Sequence, residues 1–259
     1  MQQAYQTQSS KLSRQEAARE LLRRRKARGT FSAFCEYLSP EEPPAEHHLL
    51  LCEKLDELLA GLIPRLLVCM PPGSAKSTYA TVKFPAYVMG RWEMEGISGQ
   101  GIITGNYGQD LANNFGRKVR NTVRSNEYQH LFPRTSLSQD SQSKSEWATG
   151  NENNYKSVGV GAGITGRRGH LGIIDDPIKG RKEADSEVVR DSTWPWYKTE
   201  YQTRLVPGSP EVMILTRWHE DDPAGRVLGE DWKGQSGWHV GSDGRKWFVI
   251  SLPAEAEEN

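Results

Sequence analysis

Three cysteines are all that the chain has, and Cys35, Cys52 and Cys69 stand apart on apolar stretches, without the CxxC or CxxH spacing that holds a metal. An odd, scattered set of this kind excludes a disulfide framework and reads as core thiols in a reducing compartment. Long apolar runs are missing too. The longest, such as Leu62 to Met70, stop far short of the ~20 residues of a membrane span, and the N-terminus has no apolar signal core. The expectation is a soluble cytoplasmic protein with no membrane partner. Net charge is also absent: 33 basic residues cancel 33 acidic ones, which excludes coating of nucleic acid by bulk electrostatics and leaves any such contact to local patches. With 36% hydrophobic and 25% charged residues in 259, the composition matches no disorder class and allows a continuous core.

What is present falls into a basic beginning and an alternating remainder. The first ten residues, rich in Gln and Ser, read as unstructured. Leu12 to Arg28 reads as a helix in which Lys11, Arg14, Arg19, Arg23, Arg24, Arg25, Lys26 and Arg28 outnumber Glu16 and Glu20. Such a cationic arm suits phosphates or an acidic neighbour, and equally a solvated helix packed on another subunit. Phe31 to Leu38 forms a short helix, and Ser39-Pro40-Glu41-Glu42-Pro43-Pro44 punctuates it before a helix over Glu46 to Leu59. From Pro64 onward strands are expected at Arg65–Met70, Ile102–Tyr107, Leu171–Asp175, Val212–Trp218 and Trp247–Leu252, with helices after the first four. That alternation implies a mostly parallel sheet flanked by helices, with its chemistry at the carboxyl ends of the strands. The Ser-, Gln-, Asn- and Gly-rich stretch between Leu131 and Gly169 suggests hairpins and loops on the sheet edge. The organisation expected is an N-terminal basic helical arm over 1–45 and one α/β domain over 46–259.

The strongest chemical signal is Val68-Cys69-Met70-Pro71-Pro72-Gly73-Ser74-Ala75-Lys76-Ser77-Thr78, between a strand and a helix. It is a degenerate Walker A loop, with Met70 and Ala75 where the pattern wants glycine. Pro72-Gly73-Ser74-Ala75-Lys76-Ser77-Thr78 is the expected ATP-binding segment, in which the backbone N–H groups around Gly73 to Ser77 present partial positive charge to phosphates at a helix N-terminus. Lys76 adds a full charge, and the Ser77 hydroxyl completes a magnesium shell. The bland alternative is a Pro-Gly turn with a surface lysine. Leu171-Gly172-Ile173-Ile174-Asp175-Asp176-Pro177 supplies a Walker B pattern, in which Asp175 would hold Mg2+ and Asp176 would orient or deprotonate the attacking water. Asp176 is one methylene shorter than the usual Glu, so it works at closer range or a nearby acid such as Glu183 takes the role.

Gly161-Ala162-Gly163-Ile164-Thr165-Gly166 matches GxGxxG, but Arg167-Arg168-Gly169 leads into another strand and not into the helix a dinucleotide site needs. The loop instead carries two guanidinium groups. Arg167 or Arg168 reaches a neighbouring subunit's γ-phosphate as a finger, or the pair binds carboxylates within the fold. Glu183 to Tyr201 reads as a helix whose Trp194, Trp196, Tyr197 and Tyr201 form core in spite of Pro195. In Met213-Ile214-Leu215-Thr216-Arg217-Trp218-His219-Glu220-Asp221-Asp222, Thr216 and Arg217 should emerge beside the Walker residues. The acids there suit a helix start, with Asp221 or Asp222 as cap, better than a metal set with His219.

The strings MPPGSAKSTYA, ITGNYGQDLANNFGRKVR, GVGAGITGRRGHLGIIDDPIKGRKEADSE and MILTRWHEDDPAGRVL together resemble the large subunit of a tailed-phage terminase, in order, from about Glu46 to Ala254. The resemblance implies an ASCE-type P-loop NTPase fold with a strand inserted between the Walker strands. It implies ATP hydrolysis with Mg2+ that drives double-stranded DNA into a procapsid. It further implies a homo-oligomeric ring, commonly of five subunits, docked on the portal protein in the host cytoplasm, with a small terminase subunit selecting the genome. By position, Lys76 and Ser77 bind phosphate and magnesium, Asp175 is the Walker B acid, Asp176 the catalytic carboxylate and Thr216 the coupling motif. Adenine is expected near His47, His48 and Leu49. Three departures stand out: no arginine lies in Pro71-Pro72-Gly73-Ser74, the catalytic Glu is Asp, and no ribonuclease H-type nuclease follows before Asn259. The chain is therefore read as a motor domain without nuclease activity of its own, although its parent would be an endonuclease. The competing readings are a helicase or another P-loop nucleic-acid ATPase, a small-molecule kinase, for which no arginine-rich lid is evident, and a non-hydrolysing nucleotide-dependent assembly module.

Overall fold

A computed structural model describes residues 14–253. The unstructured reading of the first ten residues, and the start of the first helix at Leu12, lie outside them. In chain order the elements begin with α1 (Arg14–Gly29), α2 (Phe31–Leu38), α3 (Glu46–Leu59), β1 (Arg65–Cys69), a π-helical segment (Thr78–Lys83), α4 (Phe84–Glu95) and β2 (Gly101–Asn106). There follow α5 (Gln109–Arg124), α6 (Asn126–Leu131), β3 (Leu137–Gln142), β4 (Glu146–Thr149), β5 (Asn154–Gly159) and β6 (Leu171–Asp175). The remainder comprises α7 (Arg181–Ala184), α8 (Glu187–Pro195), a second π-helical segment (Trp196–Tyr201), β7 (Glu211–Leu215), α9 (Pro223–Leu228), β8 (Gly237–Val240) and β9 (Lys246–Ser251).

The strands form one nine-stranded sheet in the order β3-β4-β5-β2-β6-β7-β1-β9-β8. From β5 to β9 all neighbours are parallel, and antiparallel pairs occur at the two edges, in β3-β4-β5 and in β8-β9. The cause is visible in β1, β6 and β7, which are apolar on both faces and buried along nearly their whole length. Their side chains alternate between two cores. Leu66, Val68, Ile173, Val212 and Ile214 pack toward α2 to α6, whereas Leu67, Cys69, Ile174, Met213 and Leu215 pack toward Trp196, Tyr197, Tyr201 and α9. A strand with two apolar faces must be covered twice, which parallel crossovers accomplish.

Several expectations change in detail. The strand at Val212–Trp218 ends at Leu215, because Thr216 and the residues after it turn out toward the site. The helix over Glu183–Tyr201 breaks into α7, α8 and the π-helical segment, with Pro195 at the junction, where its missing N–H cannot continue the α ladder. Its aromatics do form core, Trp194 lying at the margin. The edge segment is a hairpin only in part, since β5 joins the sheet parallel to β2. Within the arm expected over 1–45, Ala27, Phe31, Phe34 and Cys35 share one core with Tyr87 and Phe132. Cys35, Cys52 and Cys69 are free and buried. Among the described residues no helix is long and apolar enough to cross a membrane.

Helix α5 lies close on β5 because Gly116 has no side chain there. An added Cβ would meet the carbonyl oxygen of Lys144 and the Ser157 hydroxyl, the latter at 2.8 Å. Gly116→Ala should therefore lower stability by roughly 1–3 kcal/mol, the usual cost of overpacking, as read by urea denaturation, while Gly150→Ala, whose nearest neighbour is a Ser136 hydroxyl at 3.2 Å, should cost less.

Candidate active site

The parallel order brings the carboxyl ends of β2, β6, β7 and β1 side by side, and β7 sits between β1 and β6. Beyond β1 the chain makes a tight loop in which Gly73 (φ +77°) and Ala75 (φ +56°) both adopt left-handed conformations. Glycine accepts this freely; alanine carries its Cβ into strain. The loop is closed by the Ser74 hydroxyl, which donates to the Pro71 carbonyl at 2.7 Å, and by Thr78 N–H on the Ala75 carbonyl at 2.9 Å. From the side, His48 at the start of α3 donates Nε2–H to the Ser74 carbonyl at 2.8 Å while its Nδ1 accepts from the Ala45 N–H. Both ring nitrogens are used in the neutral tautomer, and burial lowers the pKa of this imidazole. The ring stacks on Tyr79, centroids 4.2 Å apart.

Lys76 is 5% exposed. Its ammonium donates to the Thr216 hydroxyl at 2.8 Å and pairs with Asp176 Oδ2 at 3.1 Å. The other oxygen of Asp176 accepts the Thr216 N–H at 2.7 Å. Asp176 stands at φ +42°, a conformation that a short polar side chain tolerates better than most. Three segments distant in sequence thus meet on one charge. Asp175, fully buried, accepts from the Ser77 hydroxyl at 3.0 Å on Oδ1 and from the Thr81 hydroxyl at 2.7 Å on Oδ2. Burial first, and then the charge of Asp176, raise its pKa to about 7 against the pull of those two hydroxyls. A buried carboxylate beside a serine hydroxyl is a pair of hard oxygen donors. That donor set fits Mg2+, which keeps most of its ligands as water or substrate oxygens. No group of three or more His, Cys, Asp or Glu that could hold a metal occurs among the described residues.

Two residues at the site were not singled out by sequence reading. Thr81 lies four residues after Ser77, a spacing that points both hydroxyls the same way, and that was the available signal. Asn106 ends β2; its Nδ2 donates to the Asp175 carbonyl at 3.1 Å, and its Oδ1 is buried without a partner. A polar residue closing an apolar strand was its only mark.

Other expected groups are held elsewhere. Within one chain neither Arg167 nor Arg168 joins the loop. Arg167 is bound by Glu146 at 2.6 Å, and Arg168 donates to the Thr203 carbonyl at 3.4 Å. The backbone of Arg168 abuts Gly101 at the opposite end of β2 from Asn106, roughly 16 Å away along an extended strand. Glu183 accepts from the Lys179 N–H. Asp222 caps α9 by accepting from the Gly225 N–H at 3.0 Å. Asp221 is held between Arg226 and Arg190, which lower its pKa to about 2. Arg217 pairs with Asp222 at 2.7 Å and lies over Trp232.

A mostly parallel sheet with the loop strand and the acidic strand separated by one strand defines the class: an ASCE-type P-loop fold. The family model "Terminase large subunit, T4likevirus-type, N-terminal" matches residues 67–244, and the chain belongs to that family. Among solved structures, a mutant of the ATPase domain of the Thermus phage P74-26 large terminase is similar at TM-score 0.51 and 14% identity, over 84% of each chain. The large terminase of bacteriophage HK97 matches at TM-score 0.46 and 12% identity, over 80% of this chain and 45% of that one, so the chain spans less than half of its length. The N-terminal domain of the DNA packaging ATPase of bacteriophage phi29 matches at 0.44 and 13%, over 77% and 97%. Comparison with curated proteins gave no match.

Since Ala75 occupies a left-handed position, Ala75→Gly should raise stability by about 0.5–1 kcal/mol in chemical denaturation, relief of strain outweighing the added freedom of the unfolded chain. A loss of stability would show that the loop does not hold Ala75 in this conformation.

Proposed function

We propose that the chain is an ATP hydrolase that powers movement of double-stranded DNA into a procapsid. The observation that carries the hydrolytic part is the meeting of Lys76, Asp176 and Thr216 on one buried ammonium at the strand ends. Family membership supports the packaging part. In this reading the N–H groups of Gly73 to Ser77 and the Lys76 ammonium bind the phosphates of ATP. Ser77 and Asp175 hold Mg2+, which would neutralise phosphate charge. The adenine lies on the side of the His48–Tyr79 stack.

Lys76 cannot serve a phosphate and Asp176 fully at once. Entry of the triphosphate draws the ammonium off Asp176 and leaves that carboxylate free as base. Water attacks the γ-phosphorus, its proton passes to Asp176, and the bond from the γ-phosphorus to the bridging oxygen breaks to give ADP and phosphate. The Thr216 N–H keeps Asp176 oriented throughout, and so links the reacting end of β6 to β7. The portal protein, a small terminase subunit, a homo-oligomeric ring and the host cytoplasm belong to the same reading as its partners and setting.

Steady-state hydrolysis tests it. Lys76→Ala and Asp176→Asn should each lower turnover by at least about 100-fold, with Asp176→Asn still binding ATP. Turnover unchanged in both would remove the hydrolase reading. ATP binding without any turnover in the wild-type chain, with or without duplex DNA and portal, would favour the assembly module.

Arg167 and Arg168 enter only as groups offered to a neighbouring subunit, because neither reaches the site of its own chain. Release of Arg167 from Glu146 is then part of ring closure. Mixing Arg167→Ala or Arg168→Ala chains with Lys76→Ala chains should restore part of the turnover for the arginine that acts across the interface. No restoration in either mixture would discard the finger.

A further inference from the structure

Two basic surfaces compete as the place where DNA is held, and the structure separates them. On α1, Glu20 binds Arg23 and Arg24, and Leu21 and Leu22 are 62% and 65% exposed. That face is mixed in charge and partly apolar, which suits a protein neighbour better than a row of phosphates. Helix α5 is different. Asp110 in its first turn is its one carboxylate, and from there to its end the outward residues Asn114, Arg117, Asn121 and Arg124 follow each other at helical spacing. They run for about 15 Å along the helix. Arg117 donates to the Asn114 side chain at 2.9 Å, and Lys118 lies over the Phe115 ring. Among the described residues no carboxylate pairs with either cation.

The surface continues past the helix. Lys118 and Asn121 line a groove of about 390 Å³ with Lys83 and with Thr78, the residue after Ser77. Glu127 also lines this groove, so it is the amides and cations of α5 itself that complement a phosphate backbone, and they do not select bases. The position is also mechanically apt. Asn106 and Tyr107, just before α5, bond to the backbone carbonyls of Asp175 and Asp176 at 3.1 and 3.2 Å. On its inner side α5 packs against the π-helical segment that follows the phosphate loop. The phosphate-loop half of the site therefore packs on this helix, and the acidic half bonds to the residues that lead into it.

We infer that the outer face of α5, with Arg117 and Lys118 at its centre, is the surface that holds the phosphate backbone of duplex DNA, an inference that rests on the proposed function above. The test is fluorescence anisotropy of a labelled duplex of arbitrary sequence over a series of KCl concentrations, with a fluorescent ATP analogue as an independent probe. Arg117→Glu with Lys118→Glu should weaken duplex binding on the order of tenfold and flatten the salt slope by about 2, one contact each. Binding of the ATP analogue should stay unchanged, which shows that the variant is folded. Arg117→Gln with Lys118→Gln should fall between, and Arg23→Glu with Lys26→Glu in α1 should stay within about twofold of wild type. If the α5 variants keep wild-type affinity and slope, or if the loss appears in α1 instead, the assignment is overturned while the hydrolase reading stands. A wild-type chain that binds the ATP analogue and no duplex overturns it as well. Failure to bind the analogue strikes the proposed function first.

Discussion

A lysine ammonium that is almost wholly withdrawn from water needs an anion or a set of acceptors, and the arrangement around Lys76 follows from that need. Asp176 supplies the charge and Thr216 the hydroxyl. Taking an ammonium out of water costs several kcal/mol before any partner is counted, so the contact contributes less to net stability than its short distances suggest. Its value is specificity of arrangement. The loop after β1, the end of β6 and the end of β7 can satisfy that charge together only when the three strands are in this order and register. The pairing of Asp175 with Ile214 and of Cys69 with Leu215 is therefore as much part of the site as the polar groups themselves.

The same contact also leaves neither group as an unpaired charge out of water. Lys76 and Asp176 neutralise each other. In the proposed reading a polyphosphate offers the ammonium a stronger partner, and the carboxylate released keeps its hydrogen bond from the Thr216 N–H. Binding and activation become one exchange of partners. The deeper carboxylate behaves differently. Asp175 accepts from two hydroxyls at 3.0 and 2.7 Å, and their pull does not offset burial and the neighbouring charge of Asp176, which raise its pKa.

How far the site was legible in the sequence depends on the range of the interaction concerned. Local rules locate the strands β1, β2, β6 and β9 within a residue or two, because each carries a run of consecutive apolar residues. They also located the turn at Pro71 to Lys76, and the ends of α2 and α3. Thr216 lies beside the loop, since a parallel sheet places strand ends together, whereas Arg217, expected with it, turns to Asp222 and Trp232. Arg167 and Arg168 have no local signal of their place, because the loop that carries them returns from the carboxyl end of β5 to the amino end of β6, where long-range contacts of Arg168 and His170 with Gly101 fix it. The parallel pairing of β5 with β2 was hidden for a similar reason: polar edge strands carry no signal of their partner's direction. Thr81 and Asn106 are within reach of spacing and strand-end arguments, but only their burial separates them from other polar residues at such positions.

Strain falls where these long-range constraints are tightest. Among the described residues only Ala75, Glu152 and Asp176 combine a side chain with positive φ, and two of the three flank Lys76 in space. Such conformations cost of order 1–3 kcal/mol each and persist when the surroundings over-determine them. At Ala75 the loop must bring successive N–H groups inward after two prolines have set its entry. At Asp176 the chain must leave β6 abruptly enough for one carboxylate oxygen to face Lys76 and the other the Thr216 N–H. A relaxed backbone at either point would point one of these groups away. The strain is thus the local counterpart of the sheet register: both hold three separate segments to a geometry that none would adopt alone.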